Sequence, residues 1–439
     1  MQTAFTLAQL ADPDVAEANR ILRSCIHCGM CLASCPTYVL SGDERDSPRG
    51  RIYLIKELLE KDAPPSASCV RHLDRCLGCM ACVTACPAGV DYEGLLARGR
   101  ARIAATAARP FPERLWRGFL GHVLPWPGRF RALLRLSRLG RPWLVHLPGR
   151  LGRAVAHVPR HLPLRADLAG PGVHEAKGER RRRVLLLEGC VQKSLRPAIH
   201  GASVRLLTRL GCEVVVVKGV GCCGATLLHL GDAPGAKALA RTNLDCWMAA
   251  IGAGDDAGDA YDAIVINAAG CGTMVKDYAD LFRDDPAYLE KAARVSALAK
   301  DISEIVTDLG VAPLHAVPAG FTVAYQSACG LHYGQGIGDL PSRLLEQAGF
   351  AVVALADPDL CCGSAGPYSL LQPDFAEGLR ARKLQAIAGV QADVVATGNI
   401  GCRDWLAGGS ALPFVHVVEL LDWASGGPKP AEINALPDG

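Results

Sequence analysis

The chain has 439 residues, 50% hydrophobic and 21% charged, with a formal net charge of +3. That length predicts two or three domains with a substantial core, and the composition excludes a disordered chain. No run of about 18 apolar residues occurs, which argues against a transmembrane helix, and the N-terminal MQTAFTLAQLADPDVAEANR carries acids where a signal peptide needs a basic start and an apolar stretch. A cytoplasmic location is therefore expected. In a reducing compartment the 19 cysteines read as metal ligands or redox groups before disulfides.

Residues 1–99 hold nine cysteines, eight of them in two copies of one motif. Cys25-x2-Cys28-x2-Cys31-x3-Cys35-Pro36 and Cys76-x2-Cys79-x2-Cys82-x3-Cys86-Pro87 have the bacterial ferredoxin spacing for 4Fe–4S clusters. Three thiolates two residues apart lie on a loop tight enough to grip three irons of one cube. The fourth, just before proline, starts a helix pointing elsewhere and so serves the other cluster. One ligand set is thus Cys25, Cys28, Cys31 and Cys86, and the second is Cys76, Cys79, Cys82 and Cys35. Gly29 and Gly78 relieve crowding where backbone amides approach sulfur. Zinc also takes four thiolates, but three-plus-one spacing used twice points to two [4Fe–4S] clusters, close enough to act as a wire. A small α-helical, ferredoxin-like domain is expected here.

Residues 100–183 contain no cysteine. From Arg102 to Arg183 there are 17 Arg and one Lys against four acids, a surplus of 14 positive charges that leaves −11 on the rest of the chain. Arg alternates with Leu and with Trp116, Trp126 and Trp143. Such a segment suits docking on neighbouring domains or a partner, and secondarily a peripheral membrane contact. The prolines scattered between 110 and 148 argue against one long membrane helix. No helix-turn-helix or base-stacking aromatic pattern accompanies the charge, so no nucleic-acid partner is expected.

From Val184 on, short apolar runs alternate with helical stretches. VLLLEG (184–189), EVVVVKG (213–219), AIVIN (263–267), FTVAYQ (321–326), AVVAL (351–355) and DVVAT (393–397) read as buried strands, and IHGASVRLLTRLG (199–211) as a helix closed by Gly211. Strands alternating with helices predict a parallel sheet covered on both faces. The region repeats itself: Cys190, Cys222–Cys223–Gly224 and Cys271 are followed by Cys329, Cys361–Cys362–Gly363 and Cys402, at offsets of 139, 139 and 131 residues. The expected fold is α+β overall, a helical 2×[4Fe–4S] domain followed by a duplicated α/β domain with units at 184–312 and 313–439.

Adjacent cysteines do not readily pair with each other, but both can face a metal at a strand-to-helix turn, and Gly224 and Gly363 permit that turn. Each half offers four thiols, Cys190, Cys222, Cys223 and Cys271, then Cys329, Cys361, Cys362 and Cys402. They fit either one further iron–sulfur cluster per half or reduced thiols lining a partner pocket. Cys69, Cys212 and Cys246 have no companions at motif spacing and are expected to pack in the core. His27, His72 and His332 lie near cysteine loops, where a histidine can tune a potential through hydrogen bonds to sulfur, although an ordinary surface or core placement is the default. No dinucleotide fingerprint, Walker A sequence or haem-attachment motif is found, and no His/Asp/Glu cluster suggests substrate acid–base work. No catalytic residue is assigned.

The order of these pieces resembles the iron–sulfur subunit family of bacterial glycolate oxidase. The resemblance runs through 21–60, 72–92, LLLEGCVQ (185–192), GCCGATLLHL (221–230), GCGTMVKDY (270–278), LCCGSAGPYSL (360–370) and NIGCRDWL (399–406). It implies partner subunits carrying FAD that oxidise glycolate to glyoxylate. It also implies that this chain takes single electrons from the flavin and passes them to a membrane or quinone acceptor, on the cytoplasmic face. SPRGRIYLI is shared with lactate-utilisation proteins and the anaerobic glycerol-3-phosphate dehydrogenase cluster subunit. The Cys-Cys-Gly units also resemble heterodisulfide reductase, whose fuller pattern ends Cys-x-x-Cys. Here Met274 and Trp405 stand at the last position, and Ser327 replaces the first cysteine of a Cys-x-Cys. That departure counts against heterodisulfide-type catalysis.

Overall fold

The structure, a computed structural model, describes residues 1–61, 63–159, 168, 170–256, 258–311, 317–318, 320–358 and 360–434. The expected boundary at 312–313 lies outside the described residues, as do Arg160, Arg165 and Asp167 of the basic segment.

The N-terminal part is helical. Pro13–Ser24, Pro36–Ser41, Pro48–Glu60, Ala67–Asp74 and Tyr92–Thr106 are its main helices. Three of them start on proline, whose missing N–H is harmless in a first turn. Ser47 caps Pro48–Glu60 by accepting from the Gly50 N–H at 2.9 Å, and Asp91 caps Tyr92–Thr106 through the Gly94 N–H at 2.9 Å. Ile21, Leu22, Ile55, Leu73, Leu95 and Ile103 form the core, and Cys25, Cys76 and Cys82 border it. The last helix runs without a break past residue 99 to Thr106.

The basic segment folds into the helices Phe111–Val123, Pro127–Leu144 and Arg150–Ala156. It is pinned to the domains on either side. Arg109 and Arg117 both reach Asp74, at 2.6 and 2.9 Å, and the Trp116 indole donates to the Leu370 carbonyl at 3.3 Å. Val123, Phe130 and Leu134 bury their apolar groups against Val191 and Leu195. The outward side keeps Leu136, Leu139 and Trp143 exposed.

Two sheets follow. The first comprises β1 (Gly172–His174), β2 (Arg182–Leu187), β3 (Cys212–Val216), β4 (Ala263–Ile266) and β5 (Ala299–Asp301), in the order β1-β3-β2-β4-β5, with β1 alone antiparallel. The second comprises β6 (Thr322–Tyr325), β7 (Ala351–Ala354), β8 (Val394–Thr397) and β9 (Phe414–His416), all parallel, in the order β7-β6-β8-β9. Apart from β1 the two orders are the same, so the duplicated α/β fold read from the cysteine spacing is present. The three-residue strands β1, β5 and β9 are too short to be legible as strands in the sequence.

The apolar runs are explained by burial on both faces. Along β2, Val184 and Leu186 point into a core shared by the two halves, with Val214, Val265, Val323, Val394 and Val415. Leu185 and Leu187 point the other way, onto Leu244 and Trp247. Helices Pro197–Arg209 and Val417–Ala424 contribute Leu206, Leu207, Val418 and Leu421 to the shared core. One apolar mass therefore fixes the halves against each other and sets the cysteine-bearing strand ends in place.

Candidate metal centres

All nineteen cysteines are free thiols. The eight ferredoxin-type cysteines line two neighbouring cavities. Cys25, Cys28, Cys31 and Cys86 line one, with Cys82 in its wall. Cys35, Cys76, Cys79 and Cys82 line the other. The fourth cysteine of each motif has thus crossed to the three-cysteine loop of the other motif. Cys35 is the N-cap of Pro36–Ser41, so the helix start carries its thiol away from its own loop.

The two loops share a backbone device. His27 and Gly29 have φ of 59° and 84°, and Gly78 and Met80 have φ of 66° and 63°. These are the second and fourth residues after Cys25 and Cys76. Left-handed residues inside such a loop turn successive N–H groups toward one point, which suits a negatively charged centre. Crowding alone would not require this conformation.

Charge separates the sulfurs. Burial opposes ionisation of Cys76, but Arg51, Arg100, the Gly78 N–H and the Tyr92 hydroxyl outweigh it and hold the thiol below its ordinary value. Burial pushes the Cys31 thiol up to about 11. It also drives up Cys79, helped by the neighbouring Cys361. A metal lowers such thiol pKa values, and ligand sulfurs must be deprotonated to bind.

Eight of the remaining eleven cysteines gather in two groups at the C-terminal ends of parallel strands, where α/β sheets present their sites. Cys190 follows β2, Cys222 and Cys223 follow β3, and Cys271 lies on helix Ala269–Lys276 after β4. Cys329, Cys361–Cys362 and Cys402 occupy the same places after β6, β7 and β8. The sulfurs of Cys190 and Cys222 are 3.4 Å apart, and those of Cys362 and Cys402 are 3.0 Å apart. Gly224 and Gly363 adopt φ of 95° and 86°, as a sharp turn there requires. In both halves the first cysteine of the pair is the more acidic one. Cys222 is lowered by bonds from Cys190 and Cys223, and Cys361 by bonds from Cys329 and Cys362.

Met274 and Trp405, at the places of the absent cysteines, are core residues. Met274 packs with Trp247 and Tyr278. Trp405 stacks on His157, centroids 4.5 Å apart, under the Arg380 guanidinium. Cys69 and Cys212 are buried among apolar side chains, and Cys246 is half-buried. His27 lines the first ferredoxin-type cavity, and His332 lines a cavity with Cys329, Cys361, Cys362 and Cys402. His72 is taken up by a carboxylate: its Nδ1 lies 2.8 Å from Asp46. Sequence reasoning misses Arg51, Tyr92 and Arg100 beside the sulfurs, although the SPRGRIYLI stretch that contains Arg51 is itself a recognisable signal.

Residues 24–90 match the 4Fe-4S dicluster domain family, and residues 184–276 and 323–407 match the cysteine-rich domain family. Fold and site together define an iron–sulfur protein with a duplicated cysteine-rich unit. The chain is 39% identical, over 97% of its length, to the glycolate oxidase iron-sulfur subunit of Escherichia coli (strain K12), 99% of which is covered. It is 31% identical over 92% of its length to the probable glycolate oxidase iron-sulfur subunit of Bacillus subtilis (strain 168), covering 94% of that protein. A fumarate reductase (CoM/CoB) subunit of Methanothermobacter marburgensis is 26% identical over 95% of the chain, which spans 75% of it. The chain belongs to the glycolate oxidase iron–sulfur subunit family.

Proposed function

We propose that this chain carries electrons for a complex that oxidises glycolate to glyoxylate on partner subunits holding FAD, and delivers them to a membrane or quinone acceptor. The observation that supports this most directly is the pair of neighbouring cavities, each walled by a complete crossed set of four cysteines. Four thiols without disulfides, around a void in an apolar bundle, fit a [4Fe–4S] cluster. Cys25, Cys28, Cys31 and Cys86 would hold one, and Cys35, Cys76, Cys79 and Cys82 the other. When bound, such clusters supply one-electron redox chemistry. The chain's own part is to present the thiols around one void, to exclude water with Ile52, Val90 and Leu96, and to hold the two sites side by side.

The groups Cys190, Cys222, Cys223, Cys271 and Cys329, Cys361, Cys362, Cys402 are proposed as further cluster sites. The acidic Cys222 and Cys361 also favour a second reading, thiol–disulfide chemistry at these pairs. No helix among the described residues is long and apolar enough to cross a membrane, so a membrane contact would be peripheral. The exposed Leu136, Leu139 and Trp143 beside Arg135 and Arg138 suit that role on the cytoplasmic face.

The test is reduction of the reconstituted chain by glycolate in the presence of co-expressed flavin subunits, followed by EPR. Glycolate-dependent signals are expected, and none without the flavin subunits. Reduction by lactate or glycerol 3-phosphate, but not by glycolate, would move the chain to a different complex.

A further inference from the structure

Arg51 is a buried cation beside the ferredoxin-type sulfurs, with 1% of its surface exposed. Each nitrogen of its guanidinium has a separate task. Nε donates to the His72 carbonyl at 2.8 Å. Nη2 donates to Thr37 Oγ1 at 3.0 Å and faces Asp46 Oδ1 at 3.5 Å. Nη1 is left pointing at Cys35 Sγ, 3.8 Å away.

Its supports are themselves fixed. Asp46 is fully buried, meets His72 Nδ1 at 2.8 Å and accepts from Arg75 at 3.0 Å. Thr37 donates to the Asp46 carbonyl at 2.9 Å. A planar fork held at two of its nitrogens has no freedom at the third. Arg51 also lines the cavity walled by Cys35, Cys76, Cys79 and Cys82, so its charge faces that set as a whole.

Among the described residues lining the other cavity, no arginine or lysine side chain is buried to the same degree. Arg49, in the wall of that cavity, contacts the His27 carbonyl at 3.4 Å, and its side chain is 33% exposed and paired with Glu44. Both arginines face a carboxylate, but water screens the exposed Arg49–Glu44 pair, whereas Arg51 and Asp46 are buried and Asp46 is shared with Arg75 and His72. Two motifs with the same spacing therefore sit in unequal fields.

We propose that Arg51 raises the reduction potential of the centre held by Cys35, Cys76, Cys79 and Cys82 above that of its neighbour, making it the downstream member of the pair. A cluster gains one negative charge on reduction, and a fixed buried cation stabilises that state more than the oxidised one. Arg51 is a positioning and tuning residue, since it touches ligand sulfur and not substrate. The inference rests on the cluster assignment above.

The experiment is an EPR-monitored redox titration of the reconstituted full chain, comparing wild type with Arg51→Gln and Arg51→Lys. The downstream signal is assigned as the one altered in Cys79→Ser. Arg51→Gln is expected to shift that centre's reduced-to-oxidised ratio at fixed poise at least tenfold toward oxidised, which is about 59 mV for one electron, with the other centre unmoved. Arg51→Lys keeps the charge without the fork, and a smaller shift of the same centre is expected. If Arg51→Gln does not load with iron, the Lys variant decides alone. Equal shifts at both centres, or none at either, would overturn the inference. An absence of iron–sulfur signals in wild type would instead overturn the cluster assignment on which it rests.

Discussion

Cys79 and Cys361, far apart in sequence, belong to one apolar cluster with Leu77, Leu331 and Cys402, and their charges oppose each other. The ferredoxin-type loop after Cys76 is thus seated against the second cysteine-rich group. Tyr368, which follows Cys361 and Cys362 in the chain, reinforces the contact by donating to the Arg75 carbonyl at 3.0 Å.

This seating predicts a magnetic interaction. With both groups loaded and reduced, the signal of the Cys79 centre should be broadened in wild type and narrow in Cys361→Ser. An unchanged line shape would place no paramagnetic centre at Cys361.

Gly363 predicts a backbone effect. Its φ is 86°, and a Cβ there would come within 2.6 Å of the Ala376 carbonyl oxygen. Gly363→Ala should cost about 1–3 kcal/mol by strain at this position and should disturb the Cys361–Cys362 turn. Gly89 also has positive φ, 59°, but nothing lies within 4 Å of its Cβ direction. Gly89→Ala should cost less, and thermal unfolding of both variants checks the difference.

Two buried histidines at the contact between the halves predict acid sensitivity. Burial pushes His200 down to about 4, and burial with the nearby Arg403 pushes His416 down to about 3. The unfolded chain takes up these protons near pH 6.5, so stability present above 6.5 is lost as pH falls from 6.5 toward 4. The loss is roughly 1.4 kcal/mol per histidine for each pH unit in that window. His416 caps helix Val417–Ala424 by accepting from the Val418 N–H, a task asparagine also performs. His416→Asn should therefore flatten the melting temperature against pH. A slope equal to that of wild type would contradict this.

Asp74 predicts how the basic segment is held. It faces both Arg109 and Arg117 with its side chain only 11% exposed. Asp74→Ala should cost about 2 kcal/mol, less than a fully isolated buried charge would, because Glu113 still bridges the two arginines. Faster proteolysis between residues 107 and 127, with the rest of the chain intact, is the expected readout.

The duplicated fold is legible in the sequence because the strands are buried on both faces and the cysteines recur at fixed offsets. The crossed grouping of Cys35 and Cys86 is legible for a local reason: a proline after each cysteine starts a new direction. The first domain is expected to run to residue 99, and helix Tyr92–Thr106 crosses that boundary because nothing at Arg100 stops it. Nothing in the sequence discloses that Arg51 meets Cys35, or that Cys79 packs into the cluster that holds Cys361. Those contacts depend on how separate helices and loops pack, and no spacing rule encodes them. His72 has the position of a sulfur ligand's neighbour, but Asp46, buried by the fold, captures its ring.

The most direct test of the central claim is iron, zinc and sulfide analysis of the anaerobically reconstituted chain, paired with EPR after reduction. Two [4Fe–4S] clusters on the crossed cysteine sets predict about eight irons and eight sulfides per chain, with higher counts if the cysteine-rich groups also load. They also predict that Cys35→Ser perturbs the centre of Cys76, Cys79 and Cys82 and spares that of Cys25, Cys28 and Cys31. Zinc in place of iron, or a Cys35→Ser variant that perturbs the centre of Cys25, Cys28 and Cys31 instead, would contradict the account.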